Sequence, residues 1–153
     1  MSRKLGLPPP LILLLAALAV PRVVTHDLGI VAEGSFVNSL LVFVPLLAWL
    51  TVALWWRIRY PIATLTAVGV AYGVMLAIGH QVLWDAAWDG EPPRLGGNLT
   101  GALNPAVESA VLRVVAVLTS IVTGTLVGAI IGTLAWAIER LRCVATRHVE
   151  GGF

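Results

Sequence analysis

The chain has 153 residues, 58% hydrophobic and 12% charged, with a mean hydropathy of +0.91. Soluble domains carry roughly a quarter charged residues, so the composition excludes an ordinary water-soluble globule and predicts an all-α integral membrane protein. The net charge of +2 is too small to suggest nucleic acid as a partner. A lone cysteine, Cys143, excludes an intrachain disulfide and a multi-cysteine metal site. No metal and no cofactor are expected.

Four apolar runs follow one another, and a membrane span takes about 20 residues of this kind. The first, LGLPPPLILLLAALAVPRVV, predicts a helix over residues 5–24. Its start, MSRK and an apolar stretch leading to Ala17-Leu18-Ala19, also has the pattern of a secretory signal peptide. Pro8-Pro9-Pro10 and Pro21 favour a retained helix, because proline costs little in a first helical turn. The second run predicts a helix over 36–56, kinked at Pro45. The third predicts one over 61–84. The fourth is apolar from about Val114 to Ile138 and predicts a helix over 110–138. Together they make one domain, residues 1–153, a four-helix transmembrane bundle.

Orientation follows from the arginines, since basic segments mark the cytoplasmic side. Arg3 and Lys4, then Arg57 and Arg59, then Arg140, Arg142 and Arg147 fall on one side of a four-span chain. His26, Asp27 and Glu33 in one loop, and Asp85, Asp89, Glu91 and Arg94 in another, fall on the opposite side. Both termini are therefore expected inside. Trp55, Trp56, Tyr60 and Trp136 would mark the inner interface, Trp84 and Trp88 the outer. Nine of the ten basic residues are arginine, a bias that fits a GC-rich bacterial source and so a bacterial plasma membrane.

In the fourth run, Ser120, Gly124, Gly128 and Gly132 recur every four residues. Glycine weakens a helix by about 1 kcal/mol relative to alanine, so the spacing calls for a reason. Lipid is as apolar as leucine, and membrane helices associate by close backbone approach at small residues. The third run carries its own stripe, Gly69, Gly73 and Ala77. At 1.5 Å per residue the two stripes share a depth, which predicts an antiparallel pair.

Ionisable groups near lipid are expensive and often functional. His80 continues the stripe of the third run, and Arg113 lies seven residues before Ser120. If the two helices pair, these side chains converge at the outer leaflet, where they would bind an anionic group. Gln81 adjoins His80, and Glu108, about 120° around the helix from Ser120, need not join them. His26, Asp27 and Glu33 read as solvated loop residues. Asn104-Pro105-Ala106-Val107 resembles the aquaporin NPAV tetrapeptide over those four residues alone. It has no second copy, and a cap followed by proline is an ordinary helix start.

No Walker loop, metalloprotease motif or nucleophile elbow is present in the sequence. The expected function is a non-enzymatic accessory or assembly component whose helix seam packs within the bundle or against a larger membrane partner. The alternative is a small homo-oligomeric transporter or channel. Membrane lipid is the one partner composition requires.

Overall fold

The computed structural model describes residues 6–88, 90, 91 and 93–150, with side chains as far as Val144. Arg3, Lys4 and Asp89 lie outside the described residues, as does the Arg147 side chain. All elements among the described residues are helical: α1 (Pro9–Leu18), α2 (Val20–Asp27), α3 (Phe36–Trp55), α4 (Pro61–Val82), α5 (Trp84–Ala87) and α6 (Pro105–Glu150), with a 3-10 turn at Gly97–Leu99. Four stretches are long and apolar enough to cross a membrane: Pro9–Asp27, Phe36–Trp55, Pro61–Val82 and Pro105–Val144.

The first stretch starts later and ends later than the 5–24 expected from its apolar run. Pro8 stands at the cap and Pro9 opens the helix. Pro21 lacks an N–H and its ring crowds the carbonyl four residues back, so α1 closes at Leu18 and α2 restarts at Val20. The break strands a carbonyl. Ala19 N–H turns to Ala16 O (3.2 Å), and Leu15 O instead accepts from Trp49 Nε1 on α3 at 2.7 Å. Beyond Pro21 the helix runs on through Thr25, His26 and Asp27, residues the sequence pattern assigns to a loop. Thr25 Oγ1 donates back to Pro21 O (3.0 Å) and Arg22 O (3.1 Å), which suits a hydroxyl in a helix.

Ser35 caps α3, its Oγ accepting from Asn38 N at 3.1 Å. The helix buries one narrow stripe, Pro45, Trp49 and Ala53, at the i, i+4, i+8 spacing of a single face. Trp49 is fully buried and meets Tyr72 edge-on, with ring centroids 6.0 Å apart. A turn through Arg57, whose φ is +47°, leads to Pro61 at the start of α4.

Helix α4 is the central element, touching α1, α2, α3 and α6. Its backbone and that of α6 come together where both lack side chains. A Cβ on Gly73 would lie 2.9 Å from Ser120 O, one on Gly124 would lie 2.6 Å from Gly73 Cα, and one on Gly132 would lie 2.7 Å from Ile62 Cα. Gly69 and Gly128 face each other's backbone in the same way. Ala77 and Ser120 are buried near the end of this contact. Thr64, Leu65 and Val68 on α4 are buried completely.

Helix α6 extends past the expected 110–138 at both ends. Asn104 Oδ1 accepts from Ala106 N (2.9 Å) and Pro105 occupies the first turn, where its missing N–H costs nothing. The 46 residues make a rod about 69 Å long at 1.5 Å per residue, against a hydrocarbon layer of about 30 Å. The connection between α5 and α6 folds onto its start, with Leu95 N–H donating to the Glu108 carboxylate.

Candidate functional site

At the α5 end of the bundle, four ionisable side chains form one hydrogen-bonded row. Asp27, the last residue of α2, is buried, its side chain only 4% exposed. Its Oδ2 lies 2.6 Å from His80 Nδ1 near the end of α4, and its Oδ1 lies 3.2 Å from His26 Nδ1. His26 Nε2 in turn lies 2.8 Å from Glu33 Oε1, on an exposed carboxylate. The row thus runs from solvent at Glu33 through His26 and Asp27 to His80. Glu33 is the solvated loop residue expected, but His26 and Asp27 are helical: the extra turn of α2 carries Asp27 inward, and α4 supplies its partner.

This pairing has a definite chemical consequence. Asp27 accepts through both oxygens, so a neutral His80 ring keeps its proton on Nδ1 and leaves Nε2 as an acceptor. His80 Nε2 has no hydrogen-bond partner among the described residues, and the ring is about a third exposed. It lines two adjoining cavities, of about 470 Å³ and 230 Å³, which share His26, Asp27, His80, Thr119 and Ser120.

The larger cavity is walled mainly by apolar groups, among them Trp84, Trp88, Leu112 and Val115. The smaller reaches toward Arg22, Leu76 and Thr123. Thr119 and Ser120 spend their hydroxyl protons on Val115 O and Ala116 O, so toward the cavities they offer lone pairs. Two buried side-chain nitrogens have no hydrogen-bond partner among the described residues: Arg22 Nε and Trp84 Nε1. Each belongs to a residue lining one of these cavities. The Arg22 guanidinium also faces the Tyr72 hydroxyl of α4.

His80 and Arg113, expected to converge, take different partners. Arg113 lies over the Trp84 ring, 4.8 Å from its centroid, donates to Gln81 Oε1 (3.3 Å) and sits 3.7 Å from Asp85. Its carbonyl accepts from Gln81 Nε2 (3.3 Å). His80 belongs instead to the Asp27 row. Glu108 is occupied by the loop. No group of three or more His, Cys, Asp or Glu among the described residues has the geometry to hold a metal ion.

The sequence pattern passes over Arg22 and takes Asp27 for a loop residue. The available signal is an arginine inside an apolar run, with His26 four residues later on the same helical face, which argues for helix continuing past Val24 to Asp27. What defines the molecule is an all-helical chain with four helices able to cross a membrane and a polar row at one end of the bundle. Compared with protein-family models, curated proteins and solved structures, the chain matches none of them.

Proposed function

We propose that this protein is a small multi-pass component of a bacterial plasma membrane, with both termini cytoplasmic, that works by binding rather than by turnover. In this orientation the Asp27–His80 end faces outward. The glycine-lined seam between α4 and α6 serves as its rigid scaffold, and the paired cavities at the outer end hold a small molecule. The observation that carries the proposal is the buried Asp27–His80 contact of 2.6 Å beside two cavities. Ionisable groups are costly at membrane depth and repay that cost chiefly where they serve a site, and pockets of this size with a few convergent polar groups are the usual form of one.

The test is extraction of the protein with its surrounding lipid, without detergent, followed by mass spectrometry of everything that co-purifies. A stoichiometric small molecule, lost from the Asp27→Ala variant, is the expected result. Bulk lipid alone, identical in both preparations, would contradict the proposal.

A role as an accessory or assembly subunit for a larger membrane partner is compatible with this site. It is favoured by the far end of α6, which remains helical beyond Ile138 and exposes Leu141 and Val144. A single helix gains most of its stability from packing, and a partner or the membrane surface would supply that. The transporter alternative is less well supported. The polar lining ends at Arg22 and Thr123, and Val68 and Leu65 further along α4 are fully buried and apolar.

A further inference from the structure

We propose that the Glu33–His26–Asp27–His80 row binds one exchangeable proton beyond those of its neutral histidines, held on His26, and that losing it releases Glu33 and the loop between α2 and α3. The proposal stands apart from the binding role above, since it concerns contacts made within the chain itself.

The argument is a count of protons. Three contacts join the four groups: His80 Nδ1 to Asp27 Oδ2 (2.6 Å), His26 Nδ1 to Asp27 Oδ1 (3.2 Å) and His26 Nε2 to Glu33 Oε1 (2.8 Å). Each is a hydrogen bond only when a proton lies in it. An ionised carboxylate accepts and never donates, and a neutral imidazole has a single N–H. Two neutral histidines therefore supply two protons for three contacts. One nitrogen of His26 would then turn its lone pair toward a carboxylate oxygen. A third proton removes the conflict, and His26 is its place, because both of its nitrogens face carboxylates and its side chain is 40% exposed to solvent. Both contacts then become charge-assisted.

The other groups around His26 are few. Arg22, on the same helix, lines the smaller cavity with it and faces the Tyr72 hydroxyl of α4. His80 of α4 lies beyond Asp27. Helices α1 and α3 have no ionisable residue, and α5 has Asp85, which pairs with Arg113. With His26 charged, Arg22 and His26 balance Asp27 and Glu33.

When His26 gives up its second proton, the remaining N–H can serve only one carboxylate. The Asp27 side chain is 4% exposed and that of Glu33 82%, so water can replace the donor at Glu33 but not at Asp27. An unpaired buried group is the costlier outcome. The proton therefore stays on Nδ1, toward Asp27, and Glu33 lets go. Glu33 matters to the loop. Ile30 and Val31 bond back to Thr25 O, but past Val31 the Glu33–His26 contact is the loop's one hydrogen bond to α2 among the described residues. Gly34, at φ +78° with open space around it, gives this end of the loop a pivot. A contact made by the protonated form is present at low pH and lost as pH rises through the titration of His26. The clasp is thus an acid sensor on the surface that Glu33 faces.

The experiment uses full-length protein in lipid nanodiscs. A nitroxide on Ala32→Cys, an exposed loop position, reports loop mobility, with Cys143→Ser removing the native thiol. Labelling histidine with 15N reports ring protonation, and His26→Gln assigns the His26 signals. Spectra are taken at about pH 5.5 and about pH 8.5, either side of the ordinary histidine range. At the lower pH both His26 nitrogens should carry protons, and at the higher pH only Nδ1. An ion pair this exposed shifts an equilibrium by up to about fivefold, so the ratio of restricted to free label should fall by up to about fivefold between the two. His26→Gln should abolish that difference. So should Glu33→Gln, whose amide donates to a neutral ring nitrogen or accepts from a protonated one. This exposed substitution also keeps the test open should His26→Gln fail to fold. A label equally mobile at both pH values, a difference that survives Glu33→Gln, or a singly protonated His26 at the lower pH in a folded sample would overturn the proposal.

Discussion

Asp27 Oδ2 and His80 Nδ1 lie 2.6 Å apart, joining the last residue of α2 to the end of α4 across 53 residues of sequence. The contact ties the end of the first span to the central helix and engages His80 through Nδ1, leaving Nε2 as the other ring nitrogen. Removing the carboxylate leaves His80 Nδ1 without its partner in a half-buried place. Asp27→Ala should therefore lower stability by about 1–3 kcal/mol, read as an earlier thermal transition in nanodiscs. Asp27→Asn, which still offers an oxygen, should lose less. Equal stability of wild type and Asp27→Ala would show that the pair holds nothing together.

The α4–α6 contact predicts a sharp difference between glycines. Gly124→Ala puts a methyl 2.6 Å from Gly73 Cα, and backbone cannot swing aside as a flexible side chain can. The cost expected of overpacking is about 1–3 kcal/mol. Gly96→Ala is the control, since nothing lies within 4 Å of its added carbon and its φ is −101°. Unfolding midpoints of the two variants should separate clearly, and similar midpoints would count against close packing at Gly124.

Trp49→Phe keeps the ring against Tyr72 but deletes the donor that satisfies Leu15 O. That carbonyl has already lost its helical partner to the break at Ala19. A loss of about 1–3 kcal/mol is expected, together with faster amide exchange across residues 15–20. Unchanged exchange there would mean that the α1–α2 break is stable without the indole.

The single cysteine allows a test of orientation. Cys143 is exposed near the end of α6, and the arginine pattern puts that end inside. A membrane-impermeant maleimide should label it in everted vesicles and not in intact cells. Labelling of intact cells would reverse the orientation and turn the Asp27–His80 end toward the cytoplasm.

Much of the fold was legible because membrane spans are written locally. Runs of about 20 apolar residues, Ser35 as a cap, and Asn104-Pro105 as a helix start place α3, α4 and the beginning of α6 close to where they lie. The small-residue stripes were equally visible, since they depend on spacing alone. The site was not. Apolarity fades after Val24, so a composition-based boundary falls one turn before Asp27 and turns a buried carboxylate into a loop residue. The sequence marks His80 but points to α6 for its partner, where Arg113 is held by Trp84, Gln81 and Asp85 instead. Periodicity gives the face of a helix. It does not say which neighbour arrives there.

The most direct test of the central claim is 15N spectroscopy of the side chains of histidine-labelled protein in nanodiscs at neutral pH. The chain has three histidines, and substituting each in turn assigns them. The account predicts that His80 carries its proton on Nδ1, in slow exchange with solvent, and that Asp27→Ala abolishes this preference. A His80 ring protonated mainly on Nε2, or one exchanging as freely as a histidine in an unfolded peptide and indifferent to Asp27→Ala, would contradict it.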